Sequence, residues 1–198
     1  MDKKEEIKIF VYGIILLGVI FLIIWAIQAK KINPQASLAR SASLSLSPAI
    51  GSLKLGETYQ QKVIIDAHDL KSSGAEVIIN FDPHTVEIVD QDSQTDGIQI
   101  KPGPLYLNYY ENLVDAESGV IRISATDKNS GLLSTIINFP SVFATFDFRP
   151  IKESSALEFN FKFENGKTND CNVFENLGKA GEQDVLFGIL NASFSVQS

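Results

Sequence analysis

The stretch Ala75-Glu76-Val77-Ile78-Ile79-Asn80-Phe81-Asp82, followed by Pro83, decides the fold. It is short, rich in β-branched and aromatic residues, and closed by an Asp-Pro pair that cannot extend a hydrogen-bonded ladder. Side chains alternate across a strand, so Val77, Ile79 and Phe81 share one face and Glu76, Ile78 and Asn80 the other. One face is wholly apolar and the other mixed, as in a strand that covers a core and turns its back to solvent.

The same period of two recurs on either side. Upstream lie Ser43–Ser47 (SLSLS, closed by Pro48) and Tyr59–Ala67. Downstream lie Val86–Asp90, Gly97–Lys101, Val120–Thr126, Leu132–Asn138, Val142–Arg149, Ala156–Phe163 and Phe187–Val196. In the 120–126 run, Ile121, Ile123 and Ala125 oppose Val120, Arg122 and Ser124. Phe143, Phe146, Phe148, Phe159, Phe161 and Phe163 read as core packing. Helical periodicity is lacking after residue 31, so the expectation is an all-β, jelly-roll β-sandwich of about nine strands.

What precedes the sandwich is different. Ile9 to Ala29 holds no charged residue, and 21 helical residues span about 30 Å, the thickness of a bilayer's hydrocarbon core. Tyr12 and Trp25 stand near its ends, with Lys8, Lys30 and Lys31 outside them. The reading is a short cytoplasmic head (1–8), a transmembrane helix (9–29), a flexible linker (30–42) and the sandwich domain (43–198). The lysine balance across the span barely decides orientation. The folded domain is assigned outside the cytoplasm because the head is too short to fold. The expected location is thus a single-pass membrane protein.

Composition narrows the function. The 198 residues carry a formal charge of −7. Residues 1–31 hold five lysines and three acids, which leaves 12 basic and 21 acidic residues for 32–198. Phosphate binding needs clustered Lys and Arg, so nucleic acid is excluded as the main partner. A single cysteine, Cys171, rules out an intrachain disulfide and reads as a small buried hydrophobe. Two histidines offer no zinc set and no triad: His68 precedes Asp69, but neighbours on a strand face opposite ways, and His84 follows Pro83 in a turn. Asp90, Asp92 and Asp96-Gly97 imitate a calcium loop, yet Gln94 and Thr95 stand where a ligand and a glycine belong, and the closing Glu is missing. Asn191-Ala192-Ser193 fits a glycosylation pattern but falls in a strand. No constellation for catalysis emerges, and no metal or cofactor is expected.

Beyond these readings, the chain resembles a bacterial cohesin domain over residues 43–196. The resemblance rests on Leu44-Ser45-Leu46-Ser47-Pro48, Gly51, Gly56 and Lys62-Val63-Ile64-Ile65-Asp66. It continues with Gly74–Pro83 followed by Val86 and Ile88-Val89-Asp90, then Gly103-Pro104-Leu105, Asn108, Val114-Asp115, Gly119 and Ile121–Ala125. Phe143–Phe148 and Asn191–Val196 complete it. The polar segment Asn165–Asp184 has no clear counterpart. The resemblance implies a dockerin-binding sandwich, related in fold to carbohydrate-binding modules, in which one sheet face receives a protein partner. By that analogy the face includes Glu76, Ile78, Asn80, Arg122 and Ser124. Calcium would enter only through a dockerin-type partner. Two other readings stay open. Tyr106, Tyr109 and Tyr110 could stack on sugar rings for direct polysaccharide binding, or the domain could serve as a structural or adhesive envelope protein.

Overall fold

The computed structural model describes residues 41–127 and 134–198. The head, the apolar span and nearly all of the linker lie outside the described residues, so the membrane helix expected at 9–29 is not part of this description. Among the described residues, no helix is long and apolar enough to cross a membrane.

Two sheets enclose one core. The first is built on β1 (Ala42–Ser47), β3 (Tyr59–Asp66), β5 (Val86–Val89), β6 (Lys101–Pro102), β10 (Ser141–Pro150) and β14 (Leu186–Leu190), in the order β14-β1-β3-β10-β5 with β6 also on β10. The second centres on the twelve-residue β4 (Leu70–Phe81). One flank of β4 pairs with β8 (Val120–Thr126) and β9 (Thr135–Ile137), and β7 (Asn108–Asp115) lies beyond β8. The other flank pairs with β11 (Ser154–Phe161) and β12 (Asn172–Asn176). Beyond these stand β13 (Glu182–Asp184), on β12, and β15 (Ala192–Gln197) with β2 (Ile50–Lys54), on the β11 side.

Alternation governs burial wherever a strand is regular. Leu44 and Leu46 of β1, Val63 and Ile65 of β3, Val77, Ile79 and Phe81 of β4, and Ile121 and Ile123 of β8 all enter the core. Phe148 and Phe159 meet across the two sheets with centroids 4.9 Å apart at 69°, and Phe146 meets Phe159 at 5.1 Å and 65°. These are the edge-to-face contacts that aromatic quadrupoles favour. Phe143 has the opposite parity to Phe146 and Phe148, yet all three are buried, because a bulge between Val142 and Ala144 resets the alternation of β10.

The expected sandwich is present, with corrections. The described residues form fifteen strands rather than about nine, since β2, β7, β12 and β13 form in segments without a clean period of two and one apolar run breaks at a corner between sheets. The run 187–196 divides at Asn191 into β14 in one sheet and β15 in the other. The 97–101 run supplies only the short β6 and an isolated bridge between Ile98 and Val114. Leu132 and Leu133, expected in a strand, lie outside the described residues. Phe163 is only half-buried, because β11 stops at Phe161.

Candidate functional site

The outer face of β4 and its neighbours carries the five residues expected to meet a partner. Antiparallel register sets Glu76 opposite Ser124, Ile78 opposite Arg122 and Asn80 opposite Val120. Strand β7 extends these rows with Glu111 beside Ser124, Leu113 beside Arg122 and Asp115 beside Val120. On the other flank Asn172 stands opposite Glu76 and Asn160 opposite Asn80. The result is a polar row (Glu111, Ser124, Glu76, Asn172), a mixed row (Leu113, Arg122, Ile78) and a third row (Asp115, Val120, Asn80, Asn160) that is polar apart from Val120.

Hydrogen bonds fix the first row. Ser124 Oγ donates to Glu111 Oε2 at 2.8 Å. Glu76 accepts from the Tyr110 hydroxyl on Oε1 and from Asn172 Nδ2 on Oε2, both at 3.2 Å. A carboxylate held by two donors is a positioned charge rather than a swinging side chain. Partial burial, with Glu76 beside it, raises the Tyr110 pKa above its ordinary value, so the phenol remains a donor. Above this row lies a shallow hollow of about 310 Å³ lined by Gly74, Glu76, Tyr110, Phe174 and Glu182.

The five residues share the face without sharing exposure. Arg122 and Asn80 are open and Glu76 is half-covered. Ile78 is only 9% exposed and Ser124 only 4%. Both were expected to point outward, and their positions do; a middle position in a wide sheet is shielded by side chains on both flanks, so these two support the face more than they offer contact.

The tyrosine platform is corrected more sharply. Tyr106 is buried, its hydroxyl 2.5 Å from Ser72 Oγ and its ring edge-on to Phe143. Burial raises its pKa. Tyr109 leans on Phe143 and donates to that residue's carbonyl at 2.7 Å, and burial pushes its pKa up to about 12. Tyr110, 57% exposed, presents most surface, and Tyr109 is half-buried. A bulge between Tyr109 and Glu111 separates the orientations of the adjacent rings, so the three form no common plane.

The remaining candidates serve the fold. Asp90 Oδ1 accepts from the amides of Asp92 and Gln99, and Asp92 binds the amide of Gln94 and the hydroxyl of Thr95. The Thr95 bond is the main cause of the lowered Asp92 pKa. These carboxylates shape a turn. Among the described residues no group of three His, Cys, Asp or Glu could hold a metal ion. His68 and Asp69 both have positive φ (42° and 67°) in the turn from β3 to β4, closed by Leu70 N donating to Ala67 O. Asn191 Oδ1 accepts from Phe161 N at 2.9 Å, which ties its amide group into the corner.

Cys171 has a more specific role than filling space. Where β11 ends and β12 has yet to begin, β4 lacks a neighbour strand at Ile78 on the flank away from β8. The thiol occupies that gap: Ile78 N donates to Sγ and Sγ donates to Ile78 O, both at 3.2 Å. Burial pushes the Cys171 pKa up to about 12, which leaves the sulfur an inert thiol at neutral pH.

Sequence reasoning missed Tyr110, Glu111, Leu113 and Asn172 as members of the face, because it missed β7 and β12. The bulge destroys the period of two in NYYENLVD, and β12 is hidden in a polar segment. Tyr109-Tyr110 followed by Leu113-Val114 was the available signal for β7.

With this geometry in view, comparison with known proteins defines the fold. No family model matches the chain, and no curated protein matches it in sequence. Solved structures do: the chain has the cohesin fold. The seventh ScaB type I cohesin from Pseudobacteroides cellulosolvens aligns at a TM-score of 0.58 and 11% identity, over 80% of this chain and 93% of that one. A cohesin within a type II cohesin–X–dockerin complex from Acetivibrio cellulolyticus aligns at 0.55 and 13%, over 79% and 99%. A non-cellulosomal cohesin from the hyperthermophilic archaeon Archaeoglobus fulgidus aligns at 0.52 and 17%, over 80% and 92%. At such identities the likeness is one of fold.

Proposed function

We propose that this chain is a non-catalytic docking module that receives a dockerin-type protein on the outer face of β4, β8 and β7. In this reading residues 9–29 anchor it in a membrane, with the sandwich outside the cytoplasm. The observation that carries the docking reading is the face itself. Exposed Arg122, Asn80, Leu113 and Tyr110 surround a hydrogen-bonded, half-covered polar row, the mix of apolar contact and polar rim that suits a protein interface. The cohesin fold supports it, since neighbours of this fold were solved together with dockerins. Anchoring would raise a partner's local concentration at the surface without any chemistry. Direct polysaccharide binding keeps only Tyr110 of its three candidate rings, because Tyr106 is buried and Tyr109 leans on Phe143.

The test is binding of dockerin modules from the source organism to the full chain in detergent, by calorimetry with and without calcium. Binding should depend on calcium, and Arg122→Glu should weaken it at least about tenfold, a change of about 1.4 kcal/mol. Failure of every dockerin to bind, or binding that ignores Arg122→Glu and Leu113→Asp alike, would remove the proposal. Retention in the membrane after alkaline extraction tests the anchor separately.

A further inference from the structure

The two ends of the sandwich differ. At one end the first described residues lead into β1, and Ser43 pairs with Asp66 just before the His68-Asp69 turn. The turn from β9 to β10 lies at the same end, since Ser141 pairs with Ile65 and Asp69 N donates to Ile137 O at 2.8 Å. At the tip of that second turn Phe139 is 75% exposed between Asn138 and Pro140, and Ile136 beside it is 54% exposed. Ile136 pairs with the exposed Lys71. Strand β12 runs toward the same end, because Glu175 pairs with Ser72; just past it come exposed Leu177 and Lys179. The opposite end, where β4 finishes and β7 turns into β8, presents exposed Asp82, Asp115 and Glu117 beside exposed Ile151 and Lys152.

A bare phenylalanine at a turn tip costs solubility and contributes nothing to the core. Apolar tips with lysines around them are the composition that settles at a bilayer interface. The sequence also limits where this end can go. Only 11 residues, 30–40, lie between the apolar span ending at Ala29 and Ser41, a contour of at most about 40 Å.

We infer that this end of the sandwich rests on an anionic lipid surface. Phe139 and Ile136 enter the headgroup boundary, Lys71 and Lys179 meet lipid phosphates, and the acidic end points away. Asp66, Asp69 and the exposed Glu182, which pairs with Asn176 at this end, oppose the attraction, so the contact is carried chiefly by Phe139 and Ile136. The inference rests on residues 9–29 being a membrane anchor. It also leaves the face of β4, β8 and β7 on the side of the sandwich, open to a partner.

The test uses the full chain reconstituted in vesicles containing phosphatidylserine, with a polarity-sensitive fluorophore on Asn138→Cys or, as control, on Glu117→Cys. Native Cys171 is buried and stays unlabelled. Lipids bearing shallow nitroxides should quench the label at 138 and spare the one at 117. Lys71→Glu reverses a charge and should weaken the membrane contact of this end about thirtyfold, from about 1 kcal/mol for each of two charge units, and Phe139→Ser should weaken it as well. Alkaline extraction distinguishes the two readings. Protein retained with residue 138 unquenched overturns the resting contact and leaves the anchor. Protein washed out and unquenched overturns both. Quenching that Phe139→Ser and Lys71→Glu leave unchanged also overturns the contact.

Discussion

Replacing Cys171 by alanine isolates a place where a side chain substitutes for a strand beside β4. The loss has two parts. Removing the sulfur opens a cavity of about 20 Å³, worth about 0.5 kcal/mol. The larger part is the Ile78 amide, whose acceptor is Sγ; a buried N–H left unmade costs about 1–3 kcal/mol. Ile78 O keeps a bond from Lys162 N at 2.9 Å and adds little. Cys171→Ala should therefore destabilise by about 2–3 kcal/mol. Cys171→Ser retains a group that both donates and accepts, though on a shorter bond, and should cost only about 1 kcal/mol. The order wild type, Ser, Ala would appear in denaturant unfolding of residues 41–198. Hydrogen exchange provides the local readout: the Ile78 amide should exchange about five- to a hundredfold faster in the alanine variant. If alanine proves as stable as serine, or Ile78 exchange is unchanged, the thiol is only a space-filler and the reasoning fails.

Three further outcomes follow from the same coordinates. Folding raises the Cys171 pKa from 9.0 to about 12, so below pH 9 the thiol is protonated in both states and stability is flat. Above pH 9 the unfolded chain ionises first, and stability falls by about 1.4 kcal/mol per pH unit until about pH 12. Tyr109, also shifted to about 12 but from 10.0, adds the same slope a unit later; alkaline titration of Cys171→Ser should thus begin its decline near pH 10, and an unchanged onset would contradict the assignment. Gly119→Ala should cost about 2–4 kcal/mol in thermal or denaturant unfolding, because its φ is +68° and an added Cβ would lie 2.1 Å from Phe81 O; a neutral variant would show that the turn can move. Phe148→Ala empties the position that touches Tyr59, Phe146, Phe159 and Phe194, and unfolding should register about 3–5 kcal/mol.

How far the sequence could be read depended on regularity. Ser43–Ser47 and Ala75–Phe81 alternate without a break, so period alone assigned their inner and outer residues correctly. It failed wherever the chain inserts a residue or turns a corner. The bulges in β7 and β10 reverse parity midway, and Asn191 switches the chain from one sheet to the other within an apolar run. The candidate face was half legible for the same reason. Two regular strands revealed Glu76, Asn80 and Arg122, whereas Tyr110, Glu111 and Leu113 sit on the bulged strand. Burial was the other blind spot. Nothing in the order of residues says that Ile78 has strands or loops on both flanks, or that Tyr106 will find Ser72 thirty-four positions upstream.

The parallel pairings of β1 with β14 and of β2 with β15 have a consequence for the order of assembly. The earliest strands of the sandwich take their partners from the last, so neither sheet can close until residues 186–197 are available. Such wide separation along the chain makes for a slow folder. Deletion of the final six residues should leave β2 without a seat.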